Sequence, residues 1–238
     1  IIMHLSELII DQKRFPTREA YPFSLPIFQQ TKKMELTHPI TIFTGENGSG
    51  KSTLLKALCR RCRIHIWEGV ARSSYDGNQF EDMLVDTIDI KWLQGMVQGS
   101  FFSPELFRNY SHLVDEWAIG SPGILNHFGG SSLVTQSHGQ SCMAYFKSIY
   151  KVKGIYFLDE PEAALSPKTQ LDLLSLLTEI SKQGHAQFII ATHSPILMSC
   201  NQAMLYSFDN DSIKPISYEE TEHYKVYSAF FKGENGKI

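Results

Sequence analysis

The feature that most constrains this chain is a glycine-rich octapeptide placed between an apolar run and a helix-like segment. Gly45-Glu-Asn-Gly-Ser-Gly-Lys-Ser52 matches the pattern G-x-x-x-x-G-K-[ST]. Its glycines let the backbone bend until several N–H groups face one anion, and Lys51 brings a positive charge. The β-branched run Ile40–Thr44 precedes it, and leucines at helical spacing follow within residues 51–62. A strand, a phosphate-binding loop and a helix are therefore predicted, with the positive end of the helix dipole facing the same anion.

A triphosphate and a divalent cation fit this loop. In the phosphate-loop scheme, Lys51 reaches the β- and γ-phosphates and the Ser52 hydroxyl ligates Mg²⁺. We therefore predict ATP and Mg²⁺ as the cofactors. The residues predicted to contact the nucleotide here are Gly45, Glu46, Asn47, Gly48, Ser49, Gly50, Lys51, Ser52 and Thr53.

A second motif supplies carboxylates for the same chemistry. Residues 154–158 form an apolar run typical of a buried parallel strand, and Asp159 and Glu160 follow directly, before Pro161. Asp159 is predicted to complete the Mg²⁺ shell. Glu160 is predicted to orient or deprotonate the attacking water.

The order of elements predicts an α/β fold with a mostly parallel sheet flanked by helices. A helix should start at Ser166-Pro167 and stop at Gly184. Its apolar face is predicted from the leucines and isoleucine at steps of three: Leu171, Leu174, Leu177 and Ile180. A further strand is predicted at residues 187–191, and a closing hairpin at residues 203–208 and 212–217.

The chain is interpreted as one domain, residues 1–238, with an insertion. About residues 70–139 mix Gly, Ser, Pro and aromatics without clean periodicity, so we predict an inserted, mainly helical lobe there. The 238 residues are 42% hydrophobic, which suits one such domain.

Composition limits the kinds of binding partner and the cellular location that we expect. The net charge is −3, from 22 basic and 25 acidic residues, so no basic surplus indicates nucleic-acid binding. No apolar run is long enough to span a bilayer, and the first residues lack a signal-peptide pattern, so we expect a cytoplasmic protein with no membrane span of its own. Cys59 and Cys62 form a C-x-x-C pair, but a second close pair of ligands is missing, so two small helix side chains are the preferred interpretation over zinc.

At this point the chain resembles the ABC ATPases. Ser137-His-Gly-Gln140 stands where that family has its signature, usually Leu-Ser-Gly-Gly-Gln, and Asp159-Glu-Pro161 matches its strand motif. His193, within Ala191-Thr-His-Ser-Pro195, fits the family's switch histidine and is assigned a catalytic role with Glu160. The resemblance covers about residues 36–208. Its signature departs from the pattern at Gln136 and His138, which puts the turnover rate in question.

The resemblance implies an ATP-sandwich homodimer. In this family, ATP lies between the phosphate loop of one subunit and the signature of another, which assigns nucleotide contacts to Ser137, Gly139 and Gln140. The family also has a glutamine that senses Mg²⁺, for which Gln98 is the choice, with Gln94 next. Tyr21 is placed to stack on adenine or to pack beside Phe23. His185 and His223 are expected to be surface groups.

Three functions are compatible with these residues. The segment Ala164-Leu-Ser-Pro167 looks like non-transporter members, such as RecF-like repair ATPases, overcoming-lysogenization-defect type nucleases and compact bacterial AAA-family ATPases. It favours a partner in DNA maintenance or defence, either DNA or a DNA-processing protein. A motor subunit of a membrane transporter is the alternative. A nucleotide sensor with negligible turnover is the third, although Lys51, Asp159 and Glu160 are all present.

Overall fold

The structure is a computed structural model that describes residues 3–67 and 78–233. In chain order its strands are β1 (Leu5–Ile10), β2 (Lys33–Glu35), β3 (Ile40–Thr44), β4 (Ile88–Trp92), β5 (Gly99–Phe102), β6 (Gly154–Asp159), β7 (Ala186–Ala191), β8 (Ala203–Ser207) and β9 (Lys214–Ile216). Its α-helices are α1 (Pro26–Gln30), α2 (Lys51–Arg61), α3 (Pro104–Gly120), α4 (His138–Ile149), α5 (Pro167–Gln183), α6 (Pro195–Met198) and α7 (Glu222–Phe231). Short 3-10 helices lie at Gln12–Arg14, Glu81–Thr87, Pro122–Phe128, Pro161–Ala164 and Tyr218–Glu220.

A six-stranded sheet forms the centre of the molecule, in the order β5-β6-β7-β3-β8-β9. The first five strands run parallel and β9 pairs antiparallel with β8. Every residue of β3, β6 and β7 is buried. Helices cover both faces of such a sheet, which is why these strands are mostly apolar instead of alternating between apolar and polar residues. The predicted α/β fold with a mostly parallel sheet is confirmed.

The strand register brings several strand ends to one level. Asp159, the last residue of β6, pairs with Ala191 of β7, and Ala191 also pairs with Phe43 of β3. Thr44 of β3 pairs with Ser207 of β8. The segments that follow β3, β6, β7 and β8 therefore leave the sheet side by side at its carboxyl edge.

Alternate side chains of the central strands feed two cores. Phe43, Phe157 and Ile189 pack on one face, against α1, α2 and β1. Leu158 and Phe188 point to the other face, where α3, α4 and α5 pack. The sheet is thus the common wall of both cores, and its strands have little freedom to shift.

A second sheet, antiparallel and three-stranded, has the order β2-β1-β4. One buried side chain of the central sheet ties it in place. The Gln187 carboxamide of β7 accepts hydrogen bonds from the backbone N–H groups of His4 (2.9 Å) and Leu5 (2.8 Å) and donates to the carbonyl of Leu5 (2.9 Å). All three residues are fully buried. No element was predicted for the amino-terminal strands, because this link joins residues far apart in the chain.

The predicted helical lobe at residues 70–139 is corrected at its amino-terminal half. Residues 68–77 lie outside the described residues. After them, β4 joins the three-stranded sheet and β5 joins the six-stranded sheet. Among the described residues of this segment, the first α-helix begins at Pro104, with Ser103 as its N-cap, and α3 and α4 make up the α-helical part. Sequence periodicity missed β4 and β5 because their burial is mixed and both are short.

The predicted apolar face of α5 is also corrected. Leu171 is 53% exposed, whereas Leu173, Leu177 and Ile180 are buried. Steps of three fall short of the 3.6-residue turn by about 60° each, so three such steps place Leu171 and Ile180 on opposite sides of the helix. The ends of α5 are as predicted, with Ser166 as N-cap and Gly184 in the left-handed conformation at the C-cap.

Gln187→Leu is expected to lower the free energy of unfolding by about 3 kcal/mol. Two N–H donors and one carbonyl of the β1 segment would lose their partner, and each unpaired buried polar group costs on the order of 1 kcal/mol or more. Urea denaturation measures this change. Gln183→Leu, at the exposed end of α5, is the matched control and should change stability little. Equal stability of the two variants would contradict the role given to Gln187.

Candidate functional site

The loop between β3 and α2 places the predicted phosphate-binding residues at the carboxyl edge of the central sheet. Gly50, the N-cap of α2, has φ +98°, and a Cβ there would meet the side chains of Leu25 and Ile27 at 3.0 Å. Lys51 is 4% exposed, and its ammonium donates to the carbonyls of Gly45 (2.7 Å) and Glu46 (2.8 Å). The loop is therefore closed around a buried cation at the amino end of a helix.

Burial lowers the pKa of Lys51, while the negative charges of Glu160, Asp209 and Asp159 oppose this effect. The lysine thus lies among carboxylates that partly replace the hydration it loses. A phosphate anion would supply the same compensation more directly.

Asp209, which follows β8, holds the first turn of the loop. Its Oδ1 accepts a hydrogen bond of 2.7 Å from the Glu46 backbone N–H. A Cβ on Gly45, whose φ is +146°, would lie 2.8 Å from that oxygen. Glycine at position 45 therefore permits the approach of Asp209, in addition to the unusual backbone angle.

Ser52 and Asp159 form a pair of oxygen ligands suited to Mg²⁺. The Ser52 hydroxyl donates to Asp159 Oδ1 at 2.7 Å. Asp159 is buried, and burial raises its pKa, with the bond from Ser52 opposing this in part. A hydroxyl and a desolvated carboxylate in contact are the hard donors that Mg²⁺ prefers, so these residues fit the predicted metal.

Glu160 leaves the sheet in a strained conformation. Its φ and ψ are 45° and 50°, in the left-handed region, and its N–H donates to the Ala191 carbonyl at 2.9 Å. Non-glycine residues in this region cost on the order of 1 kcal/mol and persist where neighbours fix them. Here Pro161 and the end of β7 fix the backbone, and the half-exposed carboxylate projects at the sheet edge beside Lys51.

His193 follows β7 and lies opposite Glu160. Its Nε2 is 3.8 Å from Glu160 Oε1, and its backbone N–H donates to Glu162 Oε1 at 2.6 Å. Burial lowers the pKa of His193, the positive charge of Lys51 adds to this, and Glu160 opposes it. Burial also raises the pKa of Glu162, which the bond from His193 counteracts. The histidine is therefore held in place through its backbone while its Nε2 faces the Glu160 carboxylate.

Tyr21 lies beside the first turn of α2. Its hydroxyl forms a hydrogen bond with the Thr53 hydroxyl, and its side chain is 39% exposed, whereas Phe23 is fully buried. Tyr21, Ser52 and Thr53 line one cavity of about 520 Å³. Tyr21 therefore faces the loop region, and the packing role falls to Phe23.

The signature residues lie in a different place from the phosphate loop. Ser137 is the N-cap of α4 and forms a reciprocal capping box with Gln140. Ser137, Gly139 and Gln140 line an open groove of about 640 Å³ between α4 and α5, and no residue lining that groove belongs to the phosphate loop. Within one chain the two halves of the predicted nucleotide site do not meet.

The assignment of Gln98 to the metal is wrong. Gln98 precedes β5, and its carbonyl accepts from the Ile155 N–H at 3.0 Å near the start of β6. Gly99 pairs with Ile155, so Gln98 lies level with Gly154, which is five residues, or about 16 Å, from Asp159 along β6. Gln94 lies between β4 and β5, so it too precedes the start of β5 and not its carboxyl end. The residue at the carboxyl end of β5 is Ser103, which caps α3.

Three contacts of the site were missed by sequence reasoning: those of Glu162, Asp209 and His223. Asp209 follows a strand that pairs with β3, so the rule that strand ends converge could have found it. Glu162 directly follows the motif Asp159-Glu-Pro161, but its link to His193 depends on folding. His223 was predicted to be a surface group, yet its ring lies against His193. His185 is also only half-exposed, and its Nε2 donates to the Tyr150 carbonyl at 2.9 Å.

The C-x-x-C pair lies in the core of the fold. Cys59 and Cys62 are buried under the central sheet. Burial raises the pKa of Cys62 to about 12, which disfavours the thiolate that a metal would need. Among the described residues, no group of three or more His, Cys, Asp or Glu side chains is placed to hold a metal ion. In the same part of the chain, no helix has both the length and the apolar character needed to cross a membrane.

Two family models match the chain. One is described as an AAA ATPase domain and matches residues 138–198, which include His138-Gly-Gln140 of the signature segment, Asp159, Glu160 and His193. The other is described as an AAA domain and matches residues 25–62, which include the phosphate loop.

Curated proteins of similar sequence carry transport names. The ferric enterobactin transport ATP-binding protein FepC of Escherichia coli (strain K12) is 29% identical over 183 residues, 70% of this chain and 65% of FepC. The thiamine import ATP-binding protein ThiQ of Ruegeria sp. (strain TM1040) is 27% identical over 167 residues, 63% of this chain and 69% of ThiQ. The match thus spans slightly less than two thirds of FepC.

Solved structures share the fold. The cbiO1 protein from Clostridium perfringens, part of the ABC transporter complex cbiONQ, superimposes with a TM-score of 0.53 at 18% identity, covering 97% of this chain and 96% of that one. MJ1267, an ATP-binding cassette of an ABC transporter in its ADP conformation, gives 0.52 at 16% identity, covering 95% of both chains. The chain is thus similar to AAA ATPase domains and to ATP-binding proteins of ABC transporters, a class of ATP hydrolases, and the solved structures confirm the phosphate-loop α/β fold.

Asp159→Asn is expected to raise the melting temperature of the protein at neutral pH without added nucleotide or Mg²⁺. The raised pKa means that the fold favours the protonated acid, so the stabilising contribution of Asp159 is present below its ordinary value of 3.8 and is lost as the pH rises through the raised value. Asparagine keeps the acceptor for Ser52 and removes the buried charge. A shift of about 2–4 °C is expected for each kcal/mol, measured by thermal unfolding.

The difference between Asp159→Asn and the wild type should shrink as the pH falls through the raised pKa of Asp159, because the carboxyl group then becomes neutral in the folded protein. Asp172→Asn, on the exposed side of α5, serves as the control and should leave the melting temperature unchanged. A lower melting temperature for Asp159→Asn at neutral pH would contradict this account of the buried carboxyl group.

Proposed function

We propose that this ABC-type ATPase domain binds Mg-ATP at its phosphate loop, hydrolyses it with the help of Glu160, and works as a homodimer that encloses the nucleotide. One observation carries the proposal: a buried lysine, a Ser–Asp oxygen pair, a strained glutamate and a histidine meet at one edge of a parallel sheet. These are Lys51, Ser52, Asp159, Glu160 and His193.

Each residue takes the role that its surroundings favour. Lys51 exchanges its bonds to the carbonyls of Gly45 and Glu46 for oxygens of the β- and γ-phosphates. Ser52 and Asp159 hold Mg²⁺, which when bound neutralises charge on the phosphates. Tyr21 lines the same cavity as Ser52 and Thr53, which supports a contact of its ring with the adenine base.

Hydrolysis needs a water molecule aligned with the γ-phosphate. The Glu160 carboxylate is held at the sheet edge by its own backbone bond to Ala191, and it orients this water and accepts its proton. His193 Nε2 faces the same space and donates to the γ-phosphate. Glu160, after β6, therefore acts on the attacking water, and His193, after the adjacent strand β7, acts on the γ-phosphate.

The dimer follows from the separation of the signature from the phosphate loop. Ser137 is exposed at the amino end of α4, where backbone N–H groups and the helix dipole favour an anion. Since Ser137 and Gly139 line a groove apart from the loop of their own chain, a second copy is needed to bring a signature to the γ-phosphate. ATP then acts as part of the interface, and hydrolysis releases it.

Glu160→Gln is expected to bind ATP, to hydrolyse it at least 100-fold more slowly, and to accumulate as a dimer. Glutamine cannot accept the proton of the attacking water, and general-base catalysis of this kind contributes about 10²–10⁴-fold. Phosphate release and light scattering in saturating Mg-ATP measure the two effects. Glu219→Gln, at an exposed position outside the site, is the control. A Glu160→Gln protein that stays monomeric in Mg-ATP would refute the sandwich.

Mixing two inactive variants tests the same dimer more directly. Lys51→Ala disables the phosphate loop, and Ser137→Glu keeps a helix-starting acceptor but sets a carboxylate against the γ-phosphate. A mixed dimer contains one site built from the two intact halves, so an equimolar mixture should regain about a quarter of the wild-type rate, given a symmetric interface and random pairing. A mixture as inactive as its components would place both halves within one chain.

Two partners are proposed for the work that this cycle drives. The transport names of the curated relatives favour a membrane subunit, the alternative weighed from the sequence. The segment Leu165-Ser166-Pro167 supports a DNA-processing partner instead. In the structure, however, Ser166 is the N-cap of α5 and Pro167 is its first residue, so helix capping accounts for these two residues. The relatives therefore shift the balance towards transport.

Duplex DNA is expected to leave the ATPase rate of the purified protein unchanged at low salt, because neither the net charge of −3 nor the relatives favour a nucleic-acid ligand. The rate is measured with and without DNA, with Glu160→Gln as the blank. Stimulation by DNA would overturn the transport assignment and restore the DNA-processing partner.

A further inference from the structure

A second histidine contacts the histidine of the candidate site from the carboxyl-terminal helix. His223 Nε2 lies 3.4 Å from His193 Nδ1, and the two ring centroids are 5.5 Å apart. The opposite nitrogen of His193, Nε2, is buried without a hydrogen-bond partner and faces Glu160. The three side chains thus form a row from α7 to the catalytic carboxylate.

The start of α7 is fixed in position by two successive caps. Ser217 and Glu220 form a reciprocal capping box around the preceding 3-10 turn. Thr221, which is 2% exposed, then caps α7 by accepting from the Tyr224 N–H at 3.2 Å. His223 follows two residues later, within the first turn of the helix. Its ring is therefore held where it is by the local structure at the start of α7.

The charge of Glu160 decides how the proton is shared between the two rings. A neutral imidazole has one N–H donor and one bare acceptor nitrogen. If His193 carried its proton on Nδ1, its bare Nε2 would direct a lone pair at the carboxylate 3.8 Å away. With the proton on Nε2, the N–H points towards that anion, and Nδ1 becomes the acceptor for an N–H from His223. Burial and the nearby Lys51 charge both lower the pKa of His193, which supports the neutral ring.

We propose that His223 is a positioning residue that fixes His193 in the tautomer with its proton on Nε2. That tautomer presents a donor to the γ-phosphate, whereas the other would present a lone pair to an anion. The inference rests on the proposed role of His193 in ATP hydrolysis. It also makes the first turn of α7 a part of the reaction machinery, through the contact of His223 with His193.

Three variants of the full chain test this role. His223→Phe keeps a ring of similar size and removes the N–H donor. His223→Gln keeps an amide N–H near the place of Nε2. Lys225→Phe introduces the same side chain at an exposed position of α7 that lies away from His193.

Two readouts are combined. The first is the tautomer of His193, observed in protein with ¹⁵N-labelled histidine by two-bond ¹H–¹⁵N correlation and assigned by its loss in His193→Gln. The second is kcat and KM for ATP. In His223→Phe, we expect His193 to change from one tautomer to a mixture and kcat to fall about 10-fold with KM unchanged, as for loss of other orienting partners. His223→Gln and Lys225→Phe should keep the wild-type tautomer and a rate within about twofold of wild type.

The inference is overturned if His193 keeps its Nε2–H tautomer in His223→Phe, whether or not the rate falls, because a rate effect alone would reflect only packing of α7. Failure of the proposed function gives a different result, in which wild type hydrolyses ATP no faster than Glu160→Gln. In that case the tautomer measurement still decides whether His223 orients His193.

Discussion

Parallel pairing of β6, β7 and β3 is the constraint on which the rest of the structure depends. These strands are buried along their whole length, and their register puts Asp159, Ala191 and Phe43 at one level. In a parallel sheet, every segment that follows a strand leaves at the same edge. The phosphate loop, Glu160 and His193 therefore lie close together at that edge. A shift of one residue between β6 and β7 would turn Asp159 to the opposite face of the sheet. The two apolar cores on either side of the sheet resist that shift.

The parts of the fold and site that could be predicted from the sequence are those encoded locally. Residues 40–53 and 154–160 combine apolar strands with motifs whose chemistry requires specific residue types, and both segments fold as predicted. The ends of α5 could also be predicted, because Ser166-Pro167 and Gly184 act on the backbone beside them. In each case the information lies within one turn or one strand of the residue concerned.

What sequence reasoning missed depends on residues far apart in the chain. Gln98 was assigned to the metal by order along the chain, but strand direction places it at the wrong end of β5. Gln187 supports β1 through bonds across about 180 residues, and His223 reaches His193 across 30. No periodicity marks such pairs. The signal that could have found Asp209 was topological, since any residue that ends a strand beside β3 must lie near the phosphate loop.

The double link between the loops after β6 and β7 has a consequence for how the site closes. The Glu160 N–H bonds to Ala191, and the Glu162 carboxylate accepts the His193 N–H, so the two loops are fastened to each other in both directions. Loops joined in this way move as one body, and the spacing between the carboxylate and the imidazole stays constant. Their ordering entropy is lost during folding and not during nucleotide binding. The half of the site on this chain is therefore preorganised, and in the proposed dimer the remaining adjustment falls on the approach of the second copy.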